Sequence, residues 1–340
     1  PVNTVPGAQT VNEDTALNIT GVSVTDVDGN LATSQISVGD GTLTVSLAGG
    51  ATITAGANGS GTMTLSGTET QINAALATIS YQGDSNFNGS DTFTILSTDS
   101  DGVPLSDTDT VAITVSPVND APVNTVPGAQ TVNEDTALNI TGVSVTDVDG
   151  NLATSQISVG DGTLTVNLTG GATISAGANG SSTLTLSGTE TQINAALATI
   201  SYQGDSNFNG SDTFTILSTD SDGVPLSDTD TVAITVSPVN DAPVNTVPGA
   251  QTVNEDTSLN ITGVSVTDVD GNLATSQISV GDGTLTVSLA GGATITAGAN
   301  GSGTMTLSGT ETQINAALAT INYQGDLNFN GSDTFTILST

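Results

Sequence analysis

The chain has 340 residues, 34 of them Asp or Glu and none Lys, Arg, His, Cys or Trp, for a formal net charge of -34. With no cation to neutralise phosphate, this composition excludes nucleic acid and anionic membrane surfaces as partners. Without cysteine there are no disulfides, and without lysine no side-chain isopeptide crosslink.

Self-repulsion on this scale works against a compact state unless cations offset it, and calcium is the first candidate. No apolar run reaches the ~18 residues of a membrane-spanning helix, so no membrane insertion is expected. Residues 1–20 carry neither a basic start nor an apolar core, so they read as the interior of a longer chain and not as a signal peptide.

Pro1, Pro122 and Pro243 head three near-identical segments with a period of 121 residues. The expected modules are 1–121, 122–242 and 243–340, the last lacking a counterpart of 99–121. Each is long enough to bury a core. The first two differ only at Ser46/Asn167, Ala48/Thr169, Thr54/Ser175, Gly61/Ser182 and Met63/Leu184. The first and third differ only at Ala16/Ser258, Ser80/Asn322 and Ser85/Leu327. No swap touches an acid.

In chain order, alternation of apolar residues with Thr and Ser predicts strands over 4–11, 16–25, 33–38, 42–48, 51–55 and 62–66. Asp28-Gly29-Asn30, Gly39-Asp40-Gly41, Gly49-Gly50 and Asn58-Gly59 are the turn signals between them. Thr68 and Gln71 then make a capping box that opens a helix, with Ile72, Ala75, Leu76 and Ile79 on one face. Strands over 77–82, 91–97 and 109–116 complete the module, and Tyr81, Phe87 and Phe93 are its expected aromatic core. Many short strands and one short helix imply an all-β fold of tandem β-sandwich modules arranged end to end. Triplets such as Asn18-Ile19-Thr20 match glycosylation sequons, but a chain this rich in Asn, Ser and Thr produces them by composition.

The acids are clustered. Each full module carries 13 and the third 8. Most lie in Asn12-Glu13-Asp14, Asp26-Val27-Asp28-Gly29-Asn30, Asp99 through Asp109, and Asn119-Asp120. Asp40, Glu69 and Asp84 read as a solvated face. If the first strand runs from the top of the module to the bottom, Glu13, Asp14, Asn119 and Asp120 share the bottom. Asp26, Asp28, Asn30, Asp99 and Asp101 then share the top. Each junction therefore brings two ends together. At the first, the bottom of module 1 meets Asp147, Asp149, Asn151, Asp220 and Asp222. At the second, Glu134, Asp135, Asn240 and Asp241 meet Asp268, Asp270 and Asn272; Glu255 and Asp256 repeat the bottom motif once more. Two carboxylates about 4 Å apart repel by roughly 4 kcal/mol at an effective dielectric near 20. Calcium, which takes about 6–8 oxygens, relieves this better than octahedral magnesium, while zinc would want His or Cys. The Asp26 loop is not an EF-hand, because Ser37 stands where the bidentate acid belongs, and glycine-rich nonapeptide calcium repeats are absent.

Between Ser116 and Val123 the chain reads Ser-Pro-Val-Asn-Asp-Ala-Pro-Val, and the same run returns at Ser237 to Val244. This junction, with Val-Asn-Glu-Asp-Thr, Asp-Val-Asp-Gly-Asn and Asn-Phe-Asn-Gly-Ser-Asp-Thr-Phe, resembles bacterial cadherin-like tandem repeats, which build the extender regions of giant secreted RTX-type adhesins and biofilm proteins. The resemblance covers the whole chain. It implies a cadherin-like or Ig-like sandwich with calcium bound between modules. Glu13 and Glu134 would be the acid of the first strand, Asp147/Asp149 and Asp268/Asp270 the D-x-D pair, and Asn119/Asp120 and Asn240/Asp241 the linker ligands. Two departures stand out. Ser116 and Ser237 replace the first Asp of the family linker, and the Asp-Arg-Glu motif has no counterpart because Arg is absent. The cluster from Asp99 to Asp109 would make up part of the deficit.

The expected function is an extracellular, calcium-rigidified structural extender that projects other domains from the cell surface. Near-identical modules suit a spacer, which needs length and stiffness but no differentiated site. The alternative is the repeating subunit of an extracellular filament or surface layer, in which neighbouring copies touch. A glycan-binding module would want aromatic platforms, and only six Phe and three Tyr occur. An enzyme fits least, since no acid pair sits in a recognisable pocket signature.

Overall fold

The computed structural model describes all 340 residues and builds the alternating segments into three successive units. The first contains β1 (Val2–Thr4), β2 (Gln9–Asn12), β3 (Leu17–Asn18), β4 (Ser23–Thr25), β5 (Leu31–Ser37), β6 (Gly41–Thr44), β7 (Thr52–Gly56) and β8 (Thr62–Ser66). Helix α1 (Glu69–Leu76) follows, then β9 (Ser80–Gly83), β10 (Gly89–Asp99) and β11 (Ser106–Ser116). A six-stranded sheet in the order β2-β11-β10-β5-β8-β7 packs against the three-stranded sheet β3-β9-β6 and the pair β1-β4. Neighbours are antiparallel except β2 and β11, which run parallel from Gln9 opposite Ile113 to Asn12 opposite Ser116.

The second unit repeats this order. Its elements are β12 (Val123–Thr125), β13 (Gln130–Asn133), β14 (Leu138–Asn139), β15 (Ser144–Thr146), β16 (Leu152–Ser158), β17 (Gly162–Thr165), β18 (Thr173–Gly177), β19 (Thr183–Ser187), α2 (Glu190–Leu197), β20 (Ser201–Gly204), β21 (Gly210–Asp220) and β22 (Ser227–Ser237). The third has β23 (Val244–Thr246), β24 (Ser258–Asn260), β25 (Ser265–Thr267), β26 (Thr275–Ser279), β27 (Gly283–Thr286), β28 (Thr294–Gly298), β29 (Thr304–Ser308), α3 (Glu311–Leu318), β30 (Asn322–Gly325) and β31 (Thr336–Ser339), with no strand in place of β2 or β11 and a large sheet of four strands. Here β31 pairs with β26 alone. Its free edge borders a groove of about 660 Å³ lined by Val253, Leu259, Ile261, Tyr323, Phe329 and Phe335 among others. None of the three helices is long and apolar enough to cross a membrane.

Two expected strands are each broken in two. The segment 4–11 becomes β1, which pairs with β4, and β2, which joins the large sheet beside β11. Pro6 lies between them; lacking an N–H and fixed in φ, it cannot extend a ladder and lets the chain cross from one sheet to the other. The segment 16–25 divides into β3 and β4 around Gly21, whose φ of +84° suits glycine.

Each unit has its own core. In the first, Ile36, Leu43, Leu65, Ile72, Leu76, Tyr81 and Phe93 are fully buried, and Phe87 packs half-buried against them. Strand period decides what else goes inside. β10 turns Asp91, Phe93, Ile95, Ser97 and Asp99 inward, so three polar side chains need partners. Asp91 accepts from the backbone N–H groups of Gly39 and Asp40 at 2.9 and 3.1 Å. Asp99 Oδ1 accepts from Leu105 N at 3.0 Å, and Ser97 Oγ, which donates to Asn3 Oδ1, accepts from Ser34 Oγ at 2.8 Å.

The helix forms where the capping box places it: Thr68 accepts from Gln71 N, and Gln71 accepts from Thr68 N. Ile72, Ala75 and Leu76 are its buried residues, while Ile79, equally buried, lies past the C-cap Ala77. Asn73 clasps the backbone of β4, its Oδ1 taking Val24 N and its Nδ2 reaching Val24 O, both at 2.8 Å. Complete burial of Leu76 sets the expectation that Leu76→Ala lowers unfolding free energy by about 2–5 kcal/mol in chemical denaturation, against less than ~0.5 kcal/mol for an exposed site. A loss in the surface range would mean the helix is not part of the core.

Candidate metal centre at the unit junctions

The linker from Ser116 to Val123 is short and stiffened by Pro117 and Pro122, so the bottom of one unit meets the top of the next. At the first junction a carboxylate oxygen from each of Glu13, Asp120 and Asp149 lies within 4.8 Å of the others. Glu134, Asp241 and Asp270 repeat this at the second. Glu13 is buried, its Oε1 accepting Val118 N at 2.6 Å and its Oε2 the amide of Asn88 at 3.3 Å. Asp120 N donates to Asp149 Oδ2 at 2.7 Å, crossing from one unit to the next.

Asn119 makes the second crossing. Its Nδ2 donates to Asp220 Oδ2 at 2.8 Å, and its Oδ1 accepts from Asn151 Nδ2 at 2.8 Å. This leaves the Asn151 amide oxygen 3.1 and 3.0 Å from the two oxygens of Asp147. Turning that amide over would satisfy Asp147 but set oxygen against oxygen at Asn119. Asp120 Oδ2 is buried with no hydrogen-bond partner, as is Asp241 Oδ2 at the second junction. Buried acceptors are rarely left unpaired, and this donor set is oxygen throughout. Hard cations of the calcium class fit such a set; the chain has no His or Cys, and its two methionines are buried in the cores.

The remaining expected residues fall in three groups. At the second junction Asp241 N donates to Asp270 Oδ2 and Asn272 Nδ2 to Asn240 Oδ1, while Asn240 Nδ2 turns to Asp241 O. A cleft of about 520 Å³ opens beside that cluster, with Asp241, Asp268 and Glu311 in its wall. At the top of the first unit, Asp26 Oδ1 accepts from the N–H groups of Asp28 and Gly29, and Asn30 Oδ1 is buried without a partner. Asp99 organises the loop there, taking Asp101 N at 3.3 Å. The third group stands outside the two triads, although Asp14 and Asp135 are near enough to help raise Asp120 and Asp241. Asp14, Asp135 and Asp256 cap a loop of their own unit, accepting from Asn86, Asn207 and Asn328 N respectively. Asp101 and Asp222 offer backbone N–H groups to Asp99 and Asp220 with their side chains exposed, and Glu255 is exposed.

Glu69 corrects an expectation. It is not part of a solvated face: its Oε2 accepts Asp26 N at 3.0 Å, and Glu190 and Glu311 do the same for Asp147 and Asp268. The first helical residue thus fixes the D-x-D loop of every unit. Only the spacing of a helix start from that loop in three dimensions could reveal this. Asp107 and Asp228 were also hidden; each accepts the N–H of Asn3 or Asn124 through Oδ2, at 2.7 and 2.8 Å.

A family model for the Protein GAMETE EXPRESSED 2 domain matches residues 7–108 and again 128–229. The chain belongs to that family. The two matched stretches are successive copies within it, each holding most of one sandwich. No curated protein matches. Among solved structures, Protocadherin Gamma B2 extracellular cadherin domains 3-6 align at 16% identity over 90% of this chain and 66% of that one, with a TM-score of 0.33. Domains 1-5 of the same protein align at 13% identity over 98% and 57%, with a TM-score of 0.32. Human CDH23 EC21-23 aligns at 17% identity over 90% of each chain, with a TM-score of 0.36. The chain thus spans 66% and 57% of the two protocadherin structures.

At Asp147 burial dominates, neighbouring Asp149 and Asp220 add to it, and the carboxyl is pushed up. Burial likewise raises Asp120 and Asp241, reinforced chiefly by Asp149 and Asp270. Asp220 is the exception: burial raises it, but donation from Asn119, Leu226 and Asp222 more than compensates. A carboxyl raised in the folded state binds its proton more tightly there than in the unfolded chain. For Asp120, Asp147 and Asp241, folded-state stability therefore falls as pH rises from the ordinary carboxylate value near 3.9 through the higher folded value. Asp147→Asn removes one such group. In metal-free protein it is expected to flatten the decline of melting temperature between about pH 4 and pH 7, as followed by calorimetry. An unaltered decline would show that Asp147 does not contribute.

Proposed function

We propose that calcium fills the junction cages and stiffens a tandem of sandwich modules, divided at Pro122 and Pro243, into an extracellular extender of a large repetitive adhesin. The proposed relatives are the bacterial cadherin-like tandem repeats. The observation that carries this reading is Asp120 Oδ2, buried without a partner between Glu13 of its own unit and Asp149 of the next. Glu13, Asn119 and Asp120 would hold the ion from below, and Asp147, Asp149, Asn151 and Asp220 from above. Bound calcium would supply positive charge and a coordination shell shared between units. At the 4.8 Å limit a carboxylate pair repels by about 3.5 kcal/mol at an effective dielectric near 20, less where solvent screens it. Ligands drawn from both sides tie the orientation of one unit to the next, so relief of the repulsion and loss of hinge freedom are the same event.

A spacer is supported in preference to an enzyme because the triads of junction acids repeat with the period and draw on two units at once. Chelation is expected to leave each sandwich folded, with unchanged far-ultraviolet circular dichroism, while freeing the hinges. Small-angle scattering with and without calcium measures this, and a radius of gyration that does not respond would sink the proposal. Asp149→Ala is expected to weaken calcium binding at the first junction roughly tenfold or more, whereas Asp84→Ala, on an exposed loop, leaves it unchanged. Equal losses in a calorimetric titration would remove Asp149 from the ligand set.

A further inference from the structure

In the second unit the chain arrives through Pro122, β12 and β13 and departs through β22 at Ser237. Two sets of contacts join the arriving strands to the departing one. The first is the parallel pairing of β13 with β22, with Gln130, Thr131, Val132 and Asn133 opposite Ile234, Thr235, Val236 and Ser237. Glu134 N extends it, donating to Ser237 O at 2.9 Å. The second is a lock around Asn124, which is buried although polar. Its backbone N–H donates to Asp228 Oδ2 at 2.8 Å and its Nδ2 to Asp228 O at 2.9 Å. Its Oδ1 accepts from Ser218 Oγ at 2.6 Å, and Ser218 in turn pairs with Ser155 Oγ at 2.8 Å. By its backbone β12 pairs only with β15, so this side-chain lock is what fastens it to the large sheet. The first unit has the same lock: Asn3 bonds Asp107 twice, at 2.7 and 2.8 Å, and accepts from Ser97 at 2.6 Å.

Direction gives these contacts a consequence. β13 and β22 run the same way, so tension along the chain draws β13 toward the preceding unit and β22 toward the following one. Their hydrogen bonds are then loaded together in shear, where bonds at the free end of a hairpin would open singly. Asn124 and Asp228 are loaded in the same sense at the other end of the strands.

We propose that each complete unit is a force-bearing module. Its mechanical clamp is the parallel β13–β22 pairing with the Asn124–Asp228–Ser218 lock, and its counterpart in the first unit is β2–β11 with Asn3, Asp107 and Ser97. The proposal depends on strand direction inside a unit and not on any ion between units, so it and the calcium reading stand or fall separately.

Single-molecule pulling of the whole chain tests it with calcium chelated. The chain has no cysteine, so introduced cysteine pairs set the direction of force. Handles at Val123→Cys and Ser237→Cys load the clamp in shear, and handles at Asn133→Cys and Ser237→Cys peel the same pair from one end. Rupture in shear is expected at several times the peeling force; equal forces overturn the proposal. Pulled through its termini, the parent chain should give two closely matched events from its first two units. Asn124→Ala, or Asp228→Ala where burial makes the first variant fold poorly, should weaken one event and leave the other as reference. The weakened unit should unfold roughly tenfold faster or more at constant load. Two matched events in both variants would remove the lock from the clamp.

Discussion

Carboxylates crowd together at each junction with no side-chain cation anywhere in the chain to meet them. Almost every other feature of the junction follows from that constraint. Linker prolines hold the units close enough for Asp120 and Asn119 to reach across. Backbone N–H groups of Val118, Asp120, Asp149 and Leu226 are spent on Glu13, Asp149, Asp147 and Asp220. They soften the repulsion without abolishing it, and Asp120 Oδ2 is left over. Burial and the neighbouring acids push the Asp120, Asp147 and Asp241 carboxyls up, which is what crowding without a counter-charge does.

The sandwich is arranged to present those groups rigidly. β10 and β21 begin and end their inward faces on Asp, with Phe and Ile between, so the core and the unit ends are parts of one strand. The helix acts as a strut: its apolar side is buried, Asn73 holds β4, and Glu69 holds the loop that follows β4. Substitutions among the repeats leave this frame intact. Met63 and Leu184 fill the same fully buried position, a volume-conserving exchange of the kind cores tolerate at less than ~1.5 kcal/mol. The other swaps change small or exposed side chains, and none alters a junction oxygen.

Within a unit, the residues proposed to bear load and those proposed to coordinate calcium are different and lie a short distance apart. Asn119 and Asp120 face the neighbouring unit, whereas Asn124, five residues after Asn119, faces inward to Asp228 and Ser218. Pro122 and Val123 separate the two duties. On the two proposals together, this division would let a junction bend or stiffen without loosening the strand that carries tension.

Much of this was legible in the residues. The period, the all-β alternation, the capping box and the meeting of Glu13, Asp120 and Asp149 follow from local pattern and strand parity, because side-chain period and chain direction place acids at one end or the other. Roles that depend on contacts across sheets were not. Glu69 looked like a solvated acid until α1 packed beside β4, and nothing in the Asn12-Glu13-Asp14 run showed that Asp14, at a φ of 56°, would cap the loop at Asn86. The strand expected over 4–11 ran straight through Pro6, where the chain in fact changes sheets before running parallel to β11. The lock at Asn3 and Asn124 gave no signal at all. A lone Asn in an alternating strand is indistinguishable from a surface residue, and only burial against a strand about a hundred residues away makes its hydrogen bonds obligatory.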